Sequence, residues 1–178
     1  MPKIEIRPAV SADLDALVTL DHSVQSYYVW QMENRFEEDQ YNIHFCQVKL
    51  PHEVRIPYPH SPEILREEWK KRSLFLVGVM GGRAISYIDL SVQPAAPIVW
   101  VLDLVVQESS RRQGIGTALM LAALDWARQH KLRSMMLEVQ PKNHPTICLA
   151  RKLGFEFAGY NDHYYGNQDI ALFFARYL

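Results

Sequence analysis

The pattern of apolar and polar positions is clearest in the middle of the chain, where it predicts three neighbouring β-strands. Residues 74–80 and 84–92 are apolar runs separated by Gly81 and Gly82. A glycine pair readily adopts the positive φ of a tight hairpin turn, so the two runs are expected to be antiparallel neighbours. Residues 98–106 are apolar almost throughout, which predicts a central strand covered on both faces.

The N-terminal part predicts a strand followed by a helix. Residues 4–8 alternate between apolar and polar side chains, and Ser11 suits the N-cap of a helix. The apolar stripe of this helix begins at Leu14 and has Asp21 at its next position, seven residues on. A carboxylate on an apolar stripe is unusual, so Asp21 becomes a candidate functional residue.

Residues 26–60 mix many aromatic side chains with an acidic run at 37–39. This mixture predicts a second helix followed by extended segments. Ser61 then caps another helix, with Pro62 in its first position, that continues to Arg72.

The stretch after the central strand predicts a strand–helix–strand unit. A helix with apolar residues at helical spacing runs to about His130, and an apolar strand follows at 134–140. Such a unit is expected to have a right-handed crossover and parallel strands.

The C-terminal part predicts one short helix and two strands. Asn143 suits the N-cap of a helix that ends near Leu153, because Gly154 follows in the usual place past a helix end. The apolar runs at 155–160 and 169–177 are the last two predicted strands.

Length and charge narrow the class of protein. The 178 residues suit one domain spanning 1–178, and 19 basic against 20 acidic side chains give a net charge of −1. No global field attracts nucleic acid or an anionic membrane, so neither is expected as a partner. The charged start lacks a signal-peptide pattern, which favours a cytoplasmic protein. Cys46 and Cys148 share no metal-binding or disulfide spacing, and we expect them to be partly buried apolar residues, with no metal bound.

The sequence RRQGIG at 111–116 predicts a phosphate-binding loop at the start of a helix. A dinucleotide fingerprint requires a third glycine where Leu119 stands, and a Walker A loop requires a lysine after the second glycine, where Thr117 stands. What remains is a helix N-terminus whose free amides point the same way, with no side chains at Gly114 and Gly116. This arrangement suits a pyrophosphate.

The order of predicted elements, the RRQGIG loop and the segment NHPTICLARKLGF resemble the GNAT superfamily of N-acetyltransferases over nearly the whole chain. The resemblance implies an α/β (α+β) fold whose mixed, mostly antiparallel central sheet has a splayed parallel pair and flanking helices. It implies acetyl-CoA as the acyl donor. The residues that it places at the donor are Leu104, Val105, Val106, Arg111, Arg112, Gln113, Gly114, Ile115, Gly116, Thr117 and Asn143.

Acetyl transfer to an amine requires a base, because an alkylammonium of pKa ~10 is about one part in a thousand neutral at pH 7. The candidate bases are Asp103, on the central strand, and Asp21. The resemblance also implies that a backbone N–H near Val106 binds the thioester carbonyl oxygen.

The group that protonates the departing thiolate is the point at which this sequence departs from the family pattern. Many relatives have a tyrosine where this chain has Ala150. Tyr164 or Tyr165 is a candidate replacement, and water is the alternative, because a thiol of pKa ~8.5 is a good leaving group.

These observations favour an enzyme that acetylates a primary amine of a small molecule, such as a polyamine, an amino acid or an aminoglycoside- or streptothricin-like antibiotic. The acetyl group would pass directly to the amine in a ternary complex. Residues 26–60, longer than the family minimum, would cover the acceptor side. A protein N-terminal or lysine acetyltransferase and a non-catalytic acyl-CoA sensor are the alternatives, and a homodimer is one assembly that the resemblance implies.

Overall fold

A computed structural model describes residues 4–178, which form one seven-stranded sheet and a separate two-stranded ribbon. The strands in this part of the chain are β1 (Glu5–Pro8), β2 (Val24–Glu37), β3 (Gln40–Ile56), β4 (Leu74–Met80), β5 (Arg83–Val92), β6 (Ile98–Val106), β7 (Ser134–Val139), β8 (Glu156–Asn161) and β9 (Ala171–Tyr177). The α-helices are α1 (Leu14–Val18), α2 (Ile64–Glu68), α3 (Ile115–Gln129) and α4 (His144–Lys152). Short 3-10 turns are at Ser11–Asp13, Trp69–Lys71 and Glu108–Ser110.

The seven-stranded sheet has the order β1-β4-β5-β6-β7-β9-β8. All neighbouring strands are antiparallel except β6 and β7, which are joined by α3 and run parallel. The predicted central hairpin, the strand–helix–strand unit and the final strand pair are therefore confirmed, as is the mixed sheet with a single parallel pair.

Helices cover the two faces of the sheet with two separate apolar clusters. On one face, Leu17 of α1 and Leu65 of α2 pack against Val77 and Tyr87. On the other face, α3 and α4 pack against the sheet through residues such as Leu119, all within a larger core. The face under α1 and α2 also carries the buried polar side chains of the candidate site.

β2 and β3 form a long antiparallel ribbon, so the helix predicted within residues 26–60 is wrong. The pairing runs from Val24 opposite Ile56 to Glu37 opposite Gln40. Aromatic and β-branched side chains are spaced along both strands, and such residues stabilise a ribbon through cross-strand pairs. The acidic run lies at its turn, where Glu38 has a positive φ of 45°.

The ribbon is held to the rest of the molecule along α4 and β8. Trp30 donates its backbone N–H to the carbonyl oxygen of Pro141 at 3.0 Å. The Tyr28 ring lies 4.7 Å from that of His144, and the Phe45 ring 5.2 Å from that of Phe157.

β6 separates from β7 halfway along its length. The parallel pairing covers Ile98–Val101, and beyond that point β6 pairs only with β5. A β-bulge accompanies the change, because Leu90 lies opposite Val101 while Asp89 lies opposite Asp103. Leu102, the extra residue, is 39% exposed, so the prediction that this strand is covered on both faces is wrong at that residue.

Three smaller predictions also need correction. α1 ends at Val18, so Asp21 lies beyond the helix and not on its apolar stripe. α2 begins at Ile64, two residues later than a helix with Pro62 in its first position. Both cysteines are exposed. None of the helices within residues 4–178 is long and apolar enough to cross a membrane.

Candidate active site

The RRQGIG loop presents a row of backbone amides at the start of α3. Arg112 and Gly114 have positive φ values of 64° and 85°, which turn the chain sharply before the helix. The first helical hydrogen bond runs from the Ala118 N–H to the Gly114 carbonyl oxygen at 3.0 Å. In the described part of the chain the amides of residues 112–117 therefore have no backbone partner. Free amides at a helix N-terminus favour a bound anion such as a phosphate.

Arg111 differs from the rest of this loop. Its backbone N–H donates to the Glu108 carbonyl oxygen at 3.1 Å. Its guanidinium donates to the carbonyl oxygens of Val106 at 2.9 Å and Asp21 at 2.8 Å. Its side chain thus joins the end of β6 to the segment after α1, and its place among the phosphate contacts stays a prediction.

The end of β6 lies next to this loop. The side chains of Leu104 and Val106 pack toward the core under α3 and α4, whereas Val105 is buried against the α1 side. A Cβ placed on Gly116 would lie 3.9 Å from both Leu104 and Val106, so the loop and the strand are in contact. Because β7 has already diverged, no strand among the described residues pairs with the β6 edge between Leu102 and Val106 on that side.

α4 lies beside the opening between β6 and β7. Its structure accounts for two features of its sequence. Asn143 is the N-cap, and its side-chain oxygen accepts the Thr146 N–H at 3.2 Å. Ala150 is completely buried in the core beneath the helix. The position at which many relatives carry a tyrosine therefore has neither a hydroxyl group nor free space around it.

Asp103 lies at the centre of a buried polar network. It is 9% exposed, and the Tyr58 hydroxyl donates to its Oδ1. Burial raises the pKa of Asp103, although the hydrogen bond from Tyr58 and the nearby His22 oppose the shift. Burial and the negative charge of Asp103 together raise the pKa of Tyr58, so this phenol keeps its proton.

His22 extends the network toward β5. Its Nδ1 lies 2.7 Å from the Leu20 carbonyl oxygen, which only accepts, so Nδ1 carries the ring proton. The Nε2 atom is then the acceptor for the Tyr87 hydroxyl, 3.1 Å away. Burial lowers the pKa of His22, which favours this neutral form. The His22 and Tyr58 rings lie 4.9 Å apart.

Asp21 has a different environment from Asp103. Arg55 forms an ion pair with its Oδ2 at 2.6 Å, and the Ser23 N–H donates to its Oδ1 at 2.9 Å. Burial acts to raise the pKa of Asp21, but the hydrogen bonds from Ser23 and the charges of Arg55 and Arg111 outweigh it and lower the pKa. Both oxygens of this carboxylate are engaged and it binds protons weakly, which makes it a poor base.

A cavity of about 390 Å³ lies beside this network. Its lining includes Leu20, Asp21, His22, Arg55, Pro57 and Tyr58. The segment after α1 forms one wall, and the end of β3 with the residues after it forms another. A second cavity of about 710 Å³ lies between the ribbon and the α4–β8 region, lined by aromatic residues such as Trp30 and Phe157.

Tyr164 and Tyr165 lie in the connection between β8 and β9. The Tyr164 hydroxyl donates to Glu138 of β7 at 2.7 Å, and this hydrogen bond raises the pKa of Tyr164 to about 12. Burial raises the pKa of Tyr165. Within residues 4–178 no hydrogen bond joins either phenol to Asp103.

Sequence analysis missed several members of the network, namely His22, Tyr58, Arg72, Tyr87 and Asp89. One signal was available. Tyr87 and Asp89 alternate within the apolar strand AISYIDLSV, and polar groups in the middle of a buried strand need partners. Tyr58 gave no such signal, because it is one of many aromatic residues in the segment 26–60.

The fold agrees with comparisons to known proteins. The family model described as Acetyltransferase (GNAT) family matches residues 24–155. The chain therefore belongs to the GNAT family of acetyltransferases, and the predicted resemblance is confirmed. It is an N-acetyltransferase of this family, and acetyl-CoA is its acyl donor.

Two curated relatives carry different acceptor names. An N-alpha-acetyltransferase from Sulfurisphaera tokodaii is 37% identical over 130 residues, which are 67% of this chain and 76% of the relative. A streptothricin acetyltransferase from Streptomyces lavendulae is 31% identical over 99 residues, which are 56% of this chain and 52% of the relative.

Solved structures share the fold along nearly the whole chain. A nourseothricin acetyltransferase superposes with a TM-score of 0.82 at 22% identity, covering 98% of both chains. A candidate streptothricin acetyltransferase from Bacillus anthracis str. Ames, in complex with acetyl coenzyme A, has a TM-score of 0.79 at 18% identity and covers 99% of this chain and 100% of its own.

Proposed function

We propose that this enzyme transfers the acetyl group of acetyl-CoA to a primary amine of a small cationic molecule, with residues 1–178 acting as one domain. The observation that carries the proposal is the buried carboxylate of Asp103, next to a cavity walled by the base of the β2–β3 ribbon. The amine attacks the thioester directly, in a complex that contains both substrates.

The donor lies across the opening between β6 and β7. The free amides of residues 112–117 hold the pyrophosphate, and the pantetheine arm pairs with the exposed β6 edge at Leu104–Val106 as an added strand would. Asn143 borders this arm from the start of α4. The thioester carbonyl then lies at the end of β6, where a backbone N–H near Val106 binds its oxygen.

Asp103 is the base that takes a proton from the acceptor ammonium. Tyr58 holds Oδ1, which leaves Oδ2 without a hydrogen bond among the described residues. The raised pKa makes Asp103 a stronger proton acceptor than a solvated aspartate. Supplying a neutral amine at pH 7 from an ammonium of pKa ~10 costs about 4 kcal/mol, which a positioned base helps to offset.

Each proton that the acetyl transfer releases is taken up by Asp103 or by water, and the leaving group takes its proton from water. The lone pair of the neutral amine attacks the carbonyl carbon, the new C–N bond forms and the C–S bond breaks. The nitrogen loses its second proton to water, because Asp103 already holds the first, and CoA leaves as a thiolate that water protonates. Water suits the protonation of the thiolate better than Tyr164 does. The Tyr164 hydroxyl donates its hydrogen bond to Glu138, which raises the pKa of Tyr164 to about 12.

A small acceptor is supported by the ribbon that borders the cavity. Arg55, Pro57 and Tyr58 line the cavity, whose volume of about 390 Å³ suits a small molecule. The streptothricin acetyltransferase relative and the nourseothricin acetyltransferase structure carry the names of small amine antibiotics. We therefore favour a streptothricin-like amine, a polyamine or an amino acid.

Protein N-terminal acetylation is the second candidate function. The observation in its favour is the 37% identity to the Sulfurisphaera tokodaii N-alpha-acetyltransferase. An N-terminal α-amine has a pKa of about 8, so it needs less help from a base than an alkylamine does.

A thiol-release assay with acetyl-CoA separates these functions. The acceptor panel contains streptothricin, polyamines, amino acids, aminoglycosides and peptides with free N-termini. We expect at least one small amine to react with a kcat/KM about a hundredfold above that of any peptide. A peptide that reacts faster than every small amine would contradict the proposal, and so would the absence of CoA release with all of them.

A further inference from the structure

A second carboxylate lies beneath the proposed base. Asp89, on β5, is completely buried. Its Oδ2 accepts from the Nε of Arg72 at 2.8 Å, whereas its Oδ1 is buried with no hydrogen-bond partner among the described residues. A buried carboxylate that is only half satisfied is costly, so its presence beside the site calls for a role.

Asp89 and Asp103 are directly opposite each other on neighbouring strands. Opposite residues of an antiparallel pair point to the same face, with Cβ atoms about 4.5–5.5 Å apart. The β-bulge creates this juxtaposition, because it shifts the register between Asp89 and Leu90. Two carboxylates at this spacing in a buried site resist being ionised together.

Charged and titratable groups surround the pair on all sides. Arg72 faces Asp89 from the segment before β4, and the other neighbours that act on the two carboxylates are Tyr58, Tyr87, His22 and His60. Arg72 is the positive charge that contacts Asp89, and its side chain is 17% exposed.

We propose that Asp89 is a positioning residue whose charge controls how strongly Asp103 holds the proton taken from the acceptor amine. This inference rests on the proposed role of Asp103 as the base. When Asp89 is protonated, Asp103 is the only negative charge of the pair and binds a proton weakly. When Asp89 is ionised, its negative charge makes Asp103 a stronger base.

The direction of the titration agrees with this scheme. Burial and the charge of Asp103 raise the pKa of Asp89 to about 7, while the ion pair with Arg72 limits the rise. The change in charge therefore falls within the pH range in which an enzyme of this kind operates. Asp89 does not contact the substrate, since it is completely buried.

The test compares the pH dependence of kcat/KM in Asp89→Asn and in the unmodified enzyme, with the same amine and saturating acetyl-CoA. The kcat/KM of Asp89→Asn is divided by that of the unmodified enzyme at each pH, so that the titration of the amine itself cancels. We expect a ratio near one at about pH 6, falling roughly three- to tenfold at about pH 9, with the change centred near neutral pH. The KM for acetyl-CoA should not change.

Arg72→Gln provides a second variant, which should shift the titration of Asp89 and not abolish it. Losing the guanidinium makes Asp89 harder to ionise, so the ionisation that controls the rate should move about one pH unit higher. Asp125→Asn, which breaks an exposed ion pair with Arg128 on α3, is the matched control and should leave the profile unchanged.

Three outcomes would contradict either the proposed role of Asp89 or the proposed role of Asp103 as the base. A ratio for Asp89→Asn that is the same at every pH indicates a purely structural role and overturns the inference. If Asp89→Asn does not fold, an Arg72→Gln profile identical to that of the unmodified enzyme overturns it equally. If Asp103→Asn keeps the full rate, the proposed base itself is wrong, whatever the Asp89 variant does.

Discussion

The donor side and the acceptor side of this site are built in different ways. The donor loop takes its amides from one continuous stretch, residues 112–117. The network around Asp103 brings together side chains from five separate parts of the chain, including His22, Tyr58 and Asp89. In the proposed complex the donor is held by backbone geometry, whereas the acceptor meets charges that depend on burial. A substitution on the donor side should therefore weaken activity when it changes the backbone conformation. A substitution on the acceptor side should weaken activity when it changes a charge.

The largest effect is expected for Asp103→Asn, which keeps the shape of the acceptor side and removes its base. We expect kcat at pH 7 to fall roughly 10²- to 10⁴-fold, with little change in the KM for acetyl-CoA. Asp21→Asn, measured in parallel, should lower kcat less than about tenfold, because Asp21 is ion-paired with Arg55. Equal losses in the two variants would show that the base assignment is wrong.

Gly114→Val tests the donor side through shape alone. Gly114 has a φ of 85°, where a β-branched residue is strained by roughly 1–2 kcal/mol. Moving the loop amides should raise the KM for acetyl-CoA about tenfold or more.

Gly82→Val is the matched control for this variant. Gly82 has a φ of 79° and, like Gly114, nothing within 4 Å of an added Cβ, but it lies in the turn between β4 and β5. It should lose a similar amount of thermal stability while keeping the KM of the unmodified enzyme. If both variants raise the KM equally, the loop has no special role.

Arg111→Gln should affect both sides at once. It removes two hydrogen bonds from a charged group, each worth about 1.5–3 kcal/mol. We expect kcat/KM to fall roughly tenfold for both substrates, together with a lower thermal midpoint. Arg112→Gln, whose side chain is exposed, should leave the midpoint unchanged. An Arg111 variant that changes only the KM for acetyl-CoA would favour the phosphate role that the sequence predicted.

The smallest effect is expected for Tyr164→Phe. The Tyr164 hydroxyl is donated to Glu138, and water is the proposed proton source for the thiolate. We therefore expect kcat to fall less than about threefold. A loss of a hundredfold, accompanied by a burst of acetylated product before the slow step, would instead identify Tyr164 as the acid.

The difference between the two sides also explains what sequence could predict. Strands β4 to β7 and helices α3 and α4 were predicted closely, because their apolar periods and glycines are local signals. The β2–β3 ribbon was missed, since its stabilising pairs join residues far apart, such as Val24 and Ile56. Asp103 was named as a candidate base on the central strand. Its partner Asp89 depends on a β-bulge, and no local pattern reveals that register.

Arg111 has a consequence for anyone redesigning this enzyme. Its planar guanidinium binds the last carbonyl of β6 on one side and the Asp21 carbonyl on the other. The end of β6, next to the proposed donor site, and Asp21, in the wall of the cavity, are therefore held at a fixed distance from each other. Substituting the other residues that line the cavity should change which amine the enzyme accepts. An insertion that displaces Asp21 should also displace the end of β6, because Arg111 binds both. The residues that line the cavity can therefore be substituted with the fold kept, whereas Arg111 and its two carbonyl partners must stay in place.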